Sequence, residues 1–214
     1  KNLYTLGVQY FLLRSVNMSL SQTNTHIQTI SPVDGSIYVE RRLATDQEVE
    51  QSIALSRSAQ KQWQSFSIRE RASICERAVR YFESNKDQIA QEITWQMGRP
   101  ISKSGGEING LAERARHMIK IAEESLADEA LPEKSGFTRF IRRDPLGIIF
   151  CVAPWNYPLL TTVNSVIPAL MAGNSVILKP SAQTPLCGEH FVSAFKEAGL
   201  PDGVLHCLFV SHNS

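Results

Sequence analysis

The chain has 214 residues, 43% hydrophobic and 20% charged, which is enough apolar surface for one large core or two small ones and excludes a disordered tail. Its 22 Lys and Arg residues against 21 Asp and Glu leave a formal net charge of +1, so no strong field favours nucleic acid or an anionic membrane as a partner. The longest apolar run, residues 159–172, is interrupted by Asn164 and Pro168 and is shorter than the roughly 20 residues that cross a bilayer.

The first 33 residues contain no Asp or Glu and are rich in Ser and Thr, a composition weakly typical of a transit peptide. Met18 opens a hydrophilic stretch that is equally typical of a normal start preceded by foreign sequence. We therefore predict a disordered or foreign leader over residues 1–30 and a single partial domain over residues 31–214. A cytoplasmic location is expected, with a mitochondrial one as the alternative.

The next hundred residues are predicted to be mostly helical, after a turn at Pro32–Gly35 and a short β-prone segment at Ser36–Arg42. Capping boxes, in which a Ser or Thr and a Glu three residues later satisfy free backbone N–H groups, occur at Thr45 with Glu48 and at Ser67 with Glu70. With apolar residues at helical spacing, the pattern predicts four helices, over residues 46–66, 68–84, 87–97 and 104–127.

After a linker at residues 132–136, the pattern changes to strands. Residues 137–142 alternate apolar and polar side chains as a half-buried strand does. Continuous apolar runs then indicate strands of a parallel sheet, the first of them covered on both faces. The predicted elements are strands over 147–153, 175–180 and 203–210, with helices over 158–171 and 185–198. This βαβαβ order is half of a doubly wound nucleotide-binding sheet.

In such sheets, ligands bind beyond the carboxyl ends of the strands. Residues 154–158 follow the first strand and residues 179–181 follow the second. The dinucleotide pattern G-x-G-x-x-G is absent, so a standard phosphate-binding loop is not predicted. Pattern alone therefore indicates a nucleotide-like fold with an unknown ligand.

Several spaced motifs resemble the aldehyde dehydrogenase superfamily over about residues 31–210. They are DPLGII at 144–149, APWNYP at 153–158, PAL and AGN at 168–174, KPS at 179–181 and QTP at 183–185, with MGRP at 97–100 in the helical half. The resemblance implies an α/β fold with amino-terminal helices and an incomplete doubly wound, Rossmann-like parallel sheet. Complete members are much longer, so it also implies that the catalytic cysteine and glutamate lie beyond residue 214.

The resemblance implies a role for two polar side chains. Asn156 matches an asparagine whose amide helps form the oxyanion hole for the aldehyde oxygen, and Lys179 matches a lysine that contacts the ribose hydroxyls of NAD or NADP. Two plainer interpretations stand beside these. Asn156 can simply cap its own turn, and Lys179 can be a solvated lysine at a strand end.

The remaining implied cofactor contacts flank these two residues. The segment Val152, Ala153, Pro154 and Trp155 matches the strand end that shapes the cofactor groove, although Trp155 can equally serve as core packing. Ser181 matches a position beside the ribose contact. Many NAD-preferring relatives carry Glu at the position of Ala182, so the absence of a carboxylate predicts relaxed selection between NAD and NADP.

The function implied is that of a piece of an NAD(P)-dependent aldehyde dehydrogenase, an oxidoreductase that acts through a cysteine thiohemiacetal, and the isolated chain is expected to be inactive. The resemblance also implies that the complete enzyme is a homo-oligomer, a dimer or a tetramer. The alternative is a non-enzymatic nucleotide-binding or subunit-interaction module. Leu160 and Asn164 are candidate contacts of the aldehyde, with core packing as the alternative. The four cysteines, Cys75, Cys151, Cys187 and Cys207, lack metal spacing and are predicted to be structural in a reducing compartment.

Overall fold

The computed structural model describes residues 25–211. Most of the predicted leader, and Met18 with it, lies outside these residues. Residues 26–30, predicted as part of the leader, form strand β1 (His26–Ile30), which pairs antiparallel with β2 (Ile37–Arg42). The predicted boundary at residue 31 therefore falls inside a hairpin.

Four helices follow the hairpin: α1 (Asp46–Trp63), α2 (Ile68–Ser84), α3 (Lys86–Met97) and α4 (Ile101–Leu126). Both predicted capping boxes are formed, at the starts of α1 and α2. Helix α1 ends at Trp63 rather than at residue 66. Helix α4 begins at Ile101, three residues earlier than predicted, with Pro100 as its N-cap residue.

A two-residue ladder separates the helices from the main sheet. Strand β3 (Glu129–Ala130) pairs antiparallel with β4 (Phe140–Ile141). The predicted half-buried strand over residues 137–142 is wrong in both length and burial, since residues 137–142 are exposed. The alternation of side chains is present, but within residues 25–211 no element covers the apolar face of this ladder.

The second half of the chain forms the predicted parallel unit. Its elements are β5 (Ile148–Val152), α5 (Pro158–Met171), β6 (Ser175–Lys179), α6 (Pro185–Glu197) and β7 (Leu205–Cys207), and the sheet order is β5-β6-β7. The third strand is shorter than the predicted residues 203–210 at both ends. Gly203 lies in the preceding turn with a φ of 88°, and the carbonyl of Phe209 accepts a hydrogen bond from the backbone N–H of Ala44 at 2.7 Å instead of continuing the ladder. The α/β class and the βαβαβ order are confirmed.

The strands of this sheet differ in burial. Strand β6 is central, and its first four residues are buried. Strand β5 was predicted to be covered on both faces, but Phe150 is 59% exposed and Val152 is 60% exposed. The prediction fails because, among residues 25–211, β5 has a neighbouring strand on one side only and α1 packs mainly over β6.

Helices and sheet share one apolar core, in which α4 packs on α5 and α2 packs on α6. The fully buried Trp63 joins the two halves, because its indole N–H donates to the carbonyl of Leu170 in α5 at 3.0 Å. Arg71 adds a second link by donating from Nε to the carbonyl of Met171 at 3.0 Å. Across residues 25–211, no helix has the length and apolar character to span a membrane.

Candidate functional site

The turn after β5 carries Asn156 on the surface. Its side-chain oxygen accepts a hydrogen bond from the N–H of Tyr157 at 3.1 Å, which is the turn-capping contact that the plainer interpretation predicts. Within residues 25–211, the amide nitrogen Nδ2 has no hydrogen-bond partner. One half of the amide therefore shapes the turn, while the other half is free to donate to a ligand.

The parallel register places this turn beside Lys179. Val152 at the end of β5 is the register partner of Lys179 at the end of β6, and the N–H of Ala153 donates to the carbonyl of Lys179 at 2.9 Å. Lys179 is half-buried, and among the described residues its ammonium group forms neither a hydrogen bond nor an ion pair. The structure thus brings Asn156 and Lys179, the two polar candidate residues, to the carboxyl end of the same sheet.

The turn after β6 is held by the amino-terminal half of the chain. The carbonyl of Ala182 accepts from the hydroxyl of the buried Thr29 at 2.7 Å, and the Gln183 side chain donates to the carbonyl of Gln96 in α3. The hydroxyl of Ser181 accepts from the N–H of Gln183 at 3.2 Å, so its oxygen supports this turn.

The apolar members of the predicted site are partly accessible. Trp155 is 54% exposed, so within the described structure it does not serve as a core residue. Ala153 is buried and Pro154 is half-buried. With Val152, these residues form an apolar strand end next to Lys179, which is the kind of surface that a ring system of a cofactor can cover.

Two charged residues that the sequence prediction missed lie directly beneath the Asn156 turn. The side chain of Glu107 in α4 is 0% exposed, and that of Arg99, which precedes α4, is 13% exposed; the two form an ion pair. The carboxylate of Glu107 also accepts from the N–H groups of Leu159 and Leu160, at 2.8 Å and 3.2 Å. Arg99 donates to the carbonyl of Asn156.

The signal for Glu107 was present in the sequence. Helix α4 buries Ser104, Ile108, Leu111 and Ala115 at spacings of three and four residues, and Glu107 falls on that stripe. A carboxylate at a buried helix position requires partners, so it marks a polar contact with another element.

Helix α6 is capped in a related way by a neutral side chain. It begins at Pro185, and its N-cap residue Thr184 makes no side-chain capping bond. The buried Gln96 supplies the acceptor instead, because its amide oxygen takes the N–H of Leu186 at 3.0 Å.

The candidate substrate contacts on α5 separate into two environments. Leu160 is half-buried, and one of its methyl groups lies 3.0 Å from the position that a Cβ atom on Gly110 would take. Its contact with α4 is therefore close packing. Asn164 is exposed, so core packing does not account for it.

Burial disfavours the thiolate form of all four cysteines. It raises the pKa of Cys75 and of Cys207 to about 12, raises that of Cys151, and raises that of Cys187 well above its usual value. Because a reactive thiol needs a lowered pKa, these pKa directions agree with structural roles.

The comparisons with known proteins agree with the sequence motifs. The family model described as "Aldehyde dehydrogenase family" matches residues 19–214. An aldehyde dehydrogenase of Paenarthrobacter nicotinovorans is 33% identical over 187 residues, covering 86% of this chain and 41% of the relative. The chain therefore spans about two fifths of the length of this curated relative.

Solved structures show the same similarity. An NAD-dependent benzaldehyde dehydrogenase from Corynebacterium glutamicum superposes with a TM-score of 0.83 at 26% identity, over 90% of this chain and 42% of that one. An NADP-dependent glyceraldehyde-3-phosphate dehydrogenase from Bacillus halodurans C-125, complexed with NADP, gives 0.82 at 28% identity, over 90% of this chain and 41% of that one.

Proposed function

The chain belongs to the aldehyde dehydrogenase family, and from that premise we propose that it supplies part of the cofactor-binding domain of an enzyme that oxidises an aldehyde to a carboxylic acid with NAD or NADP. The observation that carries the proposal is that the Asn156 turn and Lys179 lie side by side at the carboxyl end of the sheet. The hydrogen bond from the N–H of Ala153 to the carbonyl of Lys179, at 2.9 Å, places the turn of Asn156 beside Lys179, where α/β sheets bind nucleotides.

The residues at this edge fit a pyridine dinucleotide. Lys179 offers an ammonium group to ribose hydroxyls, Ser181 lies in the turn beyond it, and Val152 and Trp155 offer exposed apolar surface. When bound, the cofactor supplies the hydride acceptor. The chain's own part is to hold and orient that group against the aldehyde.

Asn156 has a separate role in the proposal. When a thiolate adds to an aldehyde carbon, negative charge develops on the carbonyl oxygen, and the Nδ2 amide of Asn156 donates a hydrogen bond to it. One such donor contributes about 2.7 to 4 kcal/mol in acyl-transfer chemistry. Burial raises the pKa of Cys75, Cys151, Cys187 and Cys207, so we propose that the nucleophile is a cysteine of the complete enzyme beyond residue 214.

The 214-residue chain alone is therefore expected not to turn over. The test compares the isolated chain with the complete enzyme for oxidation of a panel of aldehydes, followed as formation of reduced cofactor. Turnover by the complete enzyme and none by the isolated chain is the expected result. Turnover by the isolated chain at a comparable rate would refute the proposed origin of the nucleophile.

The identity of position 182 determines the expected cofactor range. Ala182 is exposed and places no carboxylate beside the ribose, so a 2′-phosphate meets no like charge from this residue. The complete enzyme should use NAD and NADP with similar kcat/KM values. A preference for NAD of more than about a hundredfold, equivalent to about 2.8 kcal/mol, would discard this part of the proposal.

A second candidate role is subunit association, which two features of β5 favour among residues 25–211: one unpaired backbone edge and exposed apolar side chains on one face. Strand β5 pairs on one side with β6, and Phe150 and Val152 are exposed on it. Edge strands of this kind pair with other chains. Co-purification of the tagged chain with an intact homologue would support association, and a monomeric chain that captures no homologue would refute it.

A further inference from the structure

Helix α5 begins at the site without a capping side chain of its own. It starts at Pro158, and its N-cap residue Tyr157 makes no side-chain capping bond. A helix start leaves backbone N–H groups unpaired inside the protein unless an acceptor comes from elsewhere. Here Glu107 of α4 provides it, with one carboxylate oxygen taking the N–H groups of Leu159 and Leu160.

The other oxygen of Glu107 pairs with Arg99, which reaches the opposite side of the same turn. The second branch of the Arg99 guanidinium donates to the carbonyl of Asn156. Its central carbon lies 4.6 Å from the centroid of the Tyr157 ring, within the range of a cation–π contact. One ion pair thus holds the backbone on both sides of the turn.

Burial strengthens the hydrogen bonds between Glu107, Arg99 and the backbone of the turn. The side chains of Glu107 and Arg99 are 0% and 13% exposed, so water does little to screen them, and charge-assisted hydrogen bonds are shorter and stronger than neutral ones. A buried ion pair is a costly way to obtain stability, since an apolar pair of similar volume often serves as well. Its position under the Asn156 turn points to a role in geometry.

We propose that Glu107 and Arg99 are positioning residues that fix the backbone of Asn156, so that its free amide nitrogen meets the carbonyl oxygen of the aldehyde. The inference rests on the proposed function of Asn156. Neither residue touches the reacting atoms in this scheme. With the Asn156 carbonyl held, rotation of the peptide that follows the asparagine is restricted, and the side chain retains a narrow range of positions.

The test uses the complete enzyme and four variants: Glu107→Ala, Glu107→Gln, Arg99→Leu and, as a matched control, Arg71→Leu. Arg71 is also a buried arginine, and it caps the opposite end of α5 through the Met171 carbonyl. A displacement of about 1 Å in a catalytic group lowers rates by about a hundredfold. We expect kcat to fall about 10- to 100-fold in Glu107→Ala and Arg99→Leu, with the KM for cofactor nearly unchanged.

Two of the variants distinguish a role in positioning Asn156 from a role in stability alone. Glu107→Gln keeps an acceptor for Leu159 and Leu160 and should recover part of the lost kcat, and it provides a folded protein if Glu107→Ala is too unstable. Arg71→Leu should lower the melting temperature with kcat near that of the wild type. An unchanged kcat in Glu107→Gln and Arg99→Leu, or an equal loss of kcat in Arg71→Leu, would overturn the proposal.

A second readout distinguishes failure of this inference from failure of the proposed function. Amide hydrogen exchange at Leu159 and Leu160 reports the Glu107 contacts whether or not an aldehyde is oxidised. If the wild-type enzyme oxidises no aldehyde, the proposed function fails. Faster exchange at these two amides in Glu107→Ala, but not in Arg71→Leu, would still support the positioning geometry, whereas equal exchange in the two variants would overturn it.

Discussion

The turns after β5 and β6 both lead into a helix whose start is capped by a side chain from another element, but the chemistry of the two caps differs. Each leads into a helix that starts on a proline and lacks a capping side chain at its N-cap. The first turn is held by the buried ion pair of Glu107 and Arg99. The second is held by neutral groups, the amide of Gln96 and the hydroxyl of Thr29.

The two kinds of anchor differ in how tightly they hold a turn and in how much stability is lost when they are substituted. A charged anchor holds its partners more tightly, and its loss leaves an uncompensated charge in the interior. A neutral amide or hydroxyl leaves only an unpaired polar group. The turn that carries Asn156 should therefore be both the more rigid of the two and the more sensitive to substitution.

The largest expected effect is that of Glu107→Ala on stability. The variant leaves Arg99 without its carboxylate and the N–H of Leu159 without an acceptor, so the free energy of unfolding should fall by about 3 to 5 kcal/mol. Urea denaturation of the purified protein measures it. A loss below about 1 kcal/mol, the net value of an ordinary hydrogen bond, would remove the contrast between the turns.

Removal of the neutral cap should have a smaller effect. Gln96→Met keeps the volume of the buried side chain but leaves the N–H of Leu186 unpaired, which costs about 1 to 3 kcal/mol. The same denaturation measurement applies. If the loss equals that of Glu107→Ala, charge is not what distinguishes the two anchors.

The hydrogen bond between Thr29 and Ala182 in the turn after β6 should contribute less to stability than the Gln96 cap. Thr29→Val removes the hydroxyl that donates to the carbonyl of Ala182 at 2.7 Å and should cost about 0.5 to 1.5 kcal/mol. Thr25→Val at an exposed position serves as the control and should change stability by less than about 0.5 kcal/mol. Similar losses in both variants would show that the Ala182 contact adds nothing.

A pH dependence should appear on the α6 side and be the smallest effect. Glu92 lies in α3, and its carboxylate is hydrogen-bonded to His190 of α6 at 2.6 Å and to Gln88 at 2.9 Å. Burial raises the pKa of Glu92, but these hydrogen bonds together lower it by more, so the net pKa lies below its usual 4.5. Glu92 therefore stabilises the fold above pH 4.5, and this contribution is lost as the pH falls through the lowered pKa.

Thermal melts between pH 3 and pH 6 compare wild type with Glu92→Gln. Below the lowered pKa of Glu92 the two proteins should approach each other in melting temperature, and above it the wild type should be the more stable. A difference that stays constant over the whole range would contradict the assigned role of the Glu92 carboxylate.

The sequence allowed most of the fold to be predicted because its signals are local. Capping boxes mark the starts of α1 and α2, Gly98 ends α3 in the left-handed conformation that favours glycine, and apolar runs mark the parallel strands. Burial at the edge of the sheet could not be predicted in this way. The run at residues 147–153 has the composition of a covered strand, but coverage depends on which elements pack against it, and Phe150 remains exposed.

The residues of the candidate site also differ in whether local sequence signals could predict them. Asn156 and Lys179 could be predicted from motifs that follow the strands, whereas Glu107 acts on Leu159 from 52 residues away. Its place on the buried stripe of α4 indicates that a partner exists, but no periodicity in the sequence identifies that partner. Contacts that join distant elements through a single side chain become visible only in three dimensions.

The most direct test of the account is the kcat of Asn156→Ala in the complete enzyme with an aldehyde and either cofactor. The variant also removes the exposed hydrogen bond from the N–H of Tyr157 to Asn156, which should cost no more than about 1.5 kcal/mol of stability. Because the proposed donor acts on developing charge, kcat should fall by about 10²- to 10³-fold, while the KM for cofactor stays near that of the wild type. A variant that retains the wild-type kcat would contradict the assignment of the turn after β5 as the site of aldehyde chemistry.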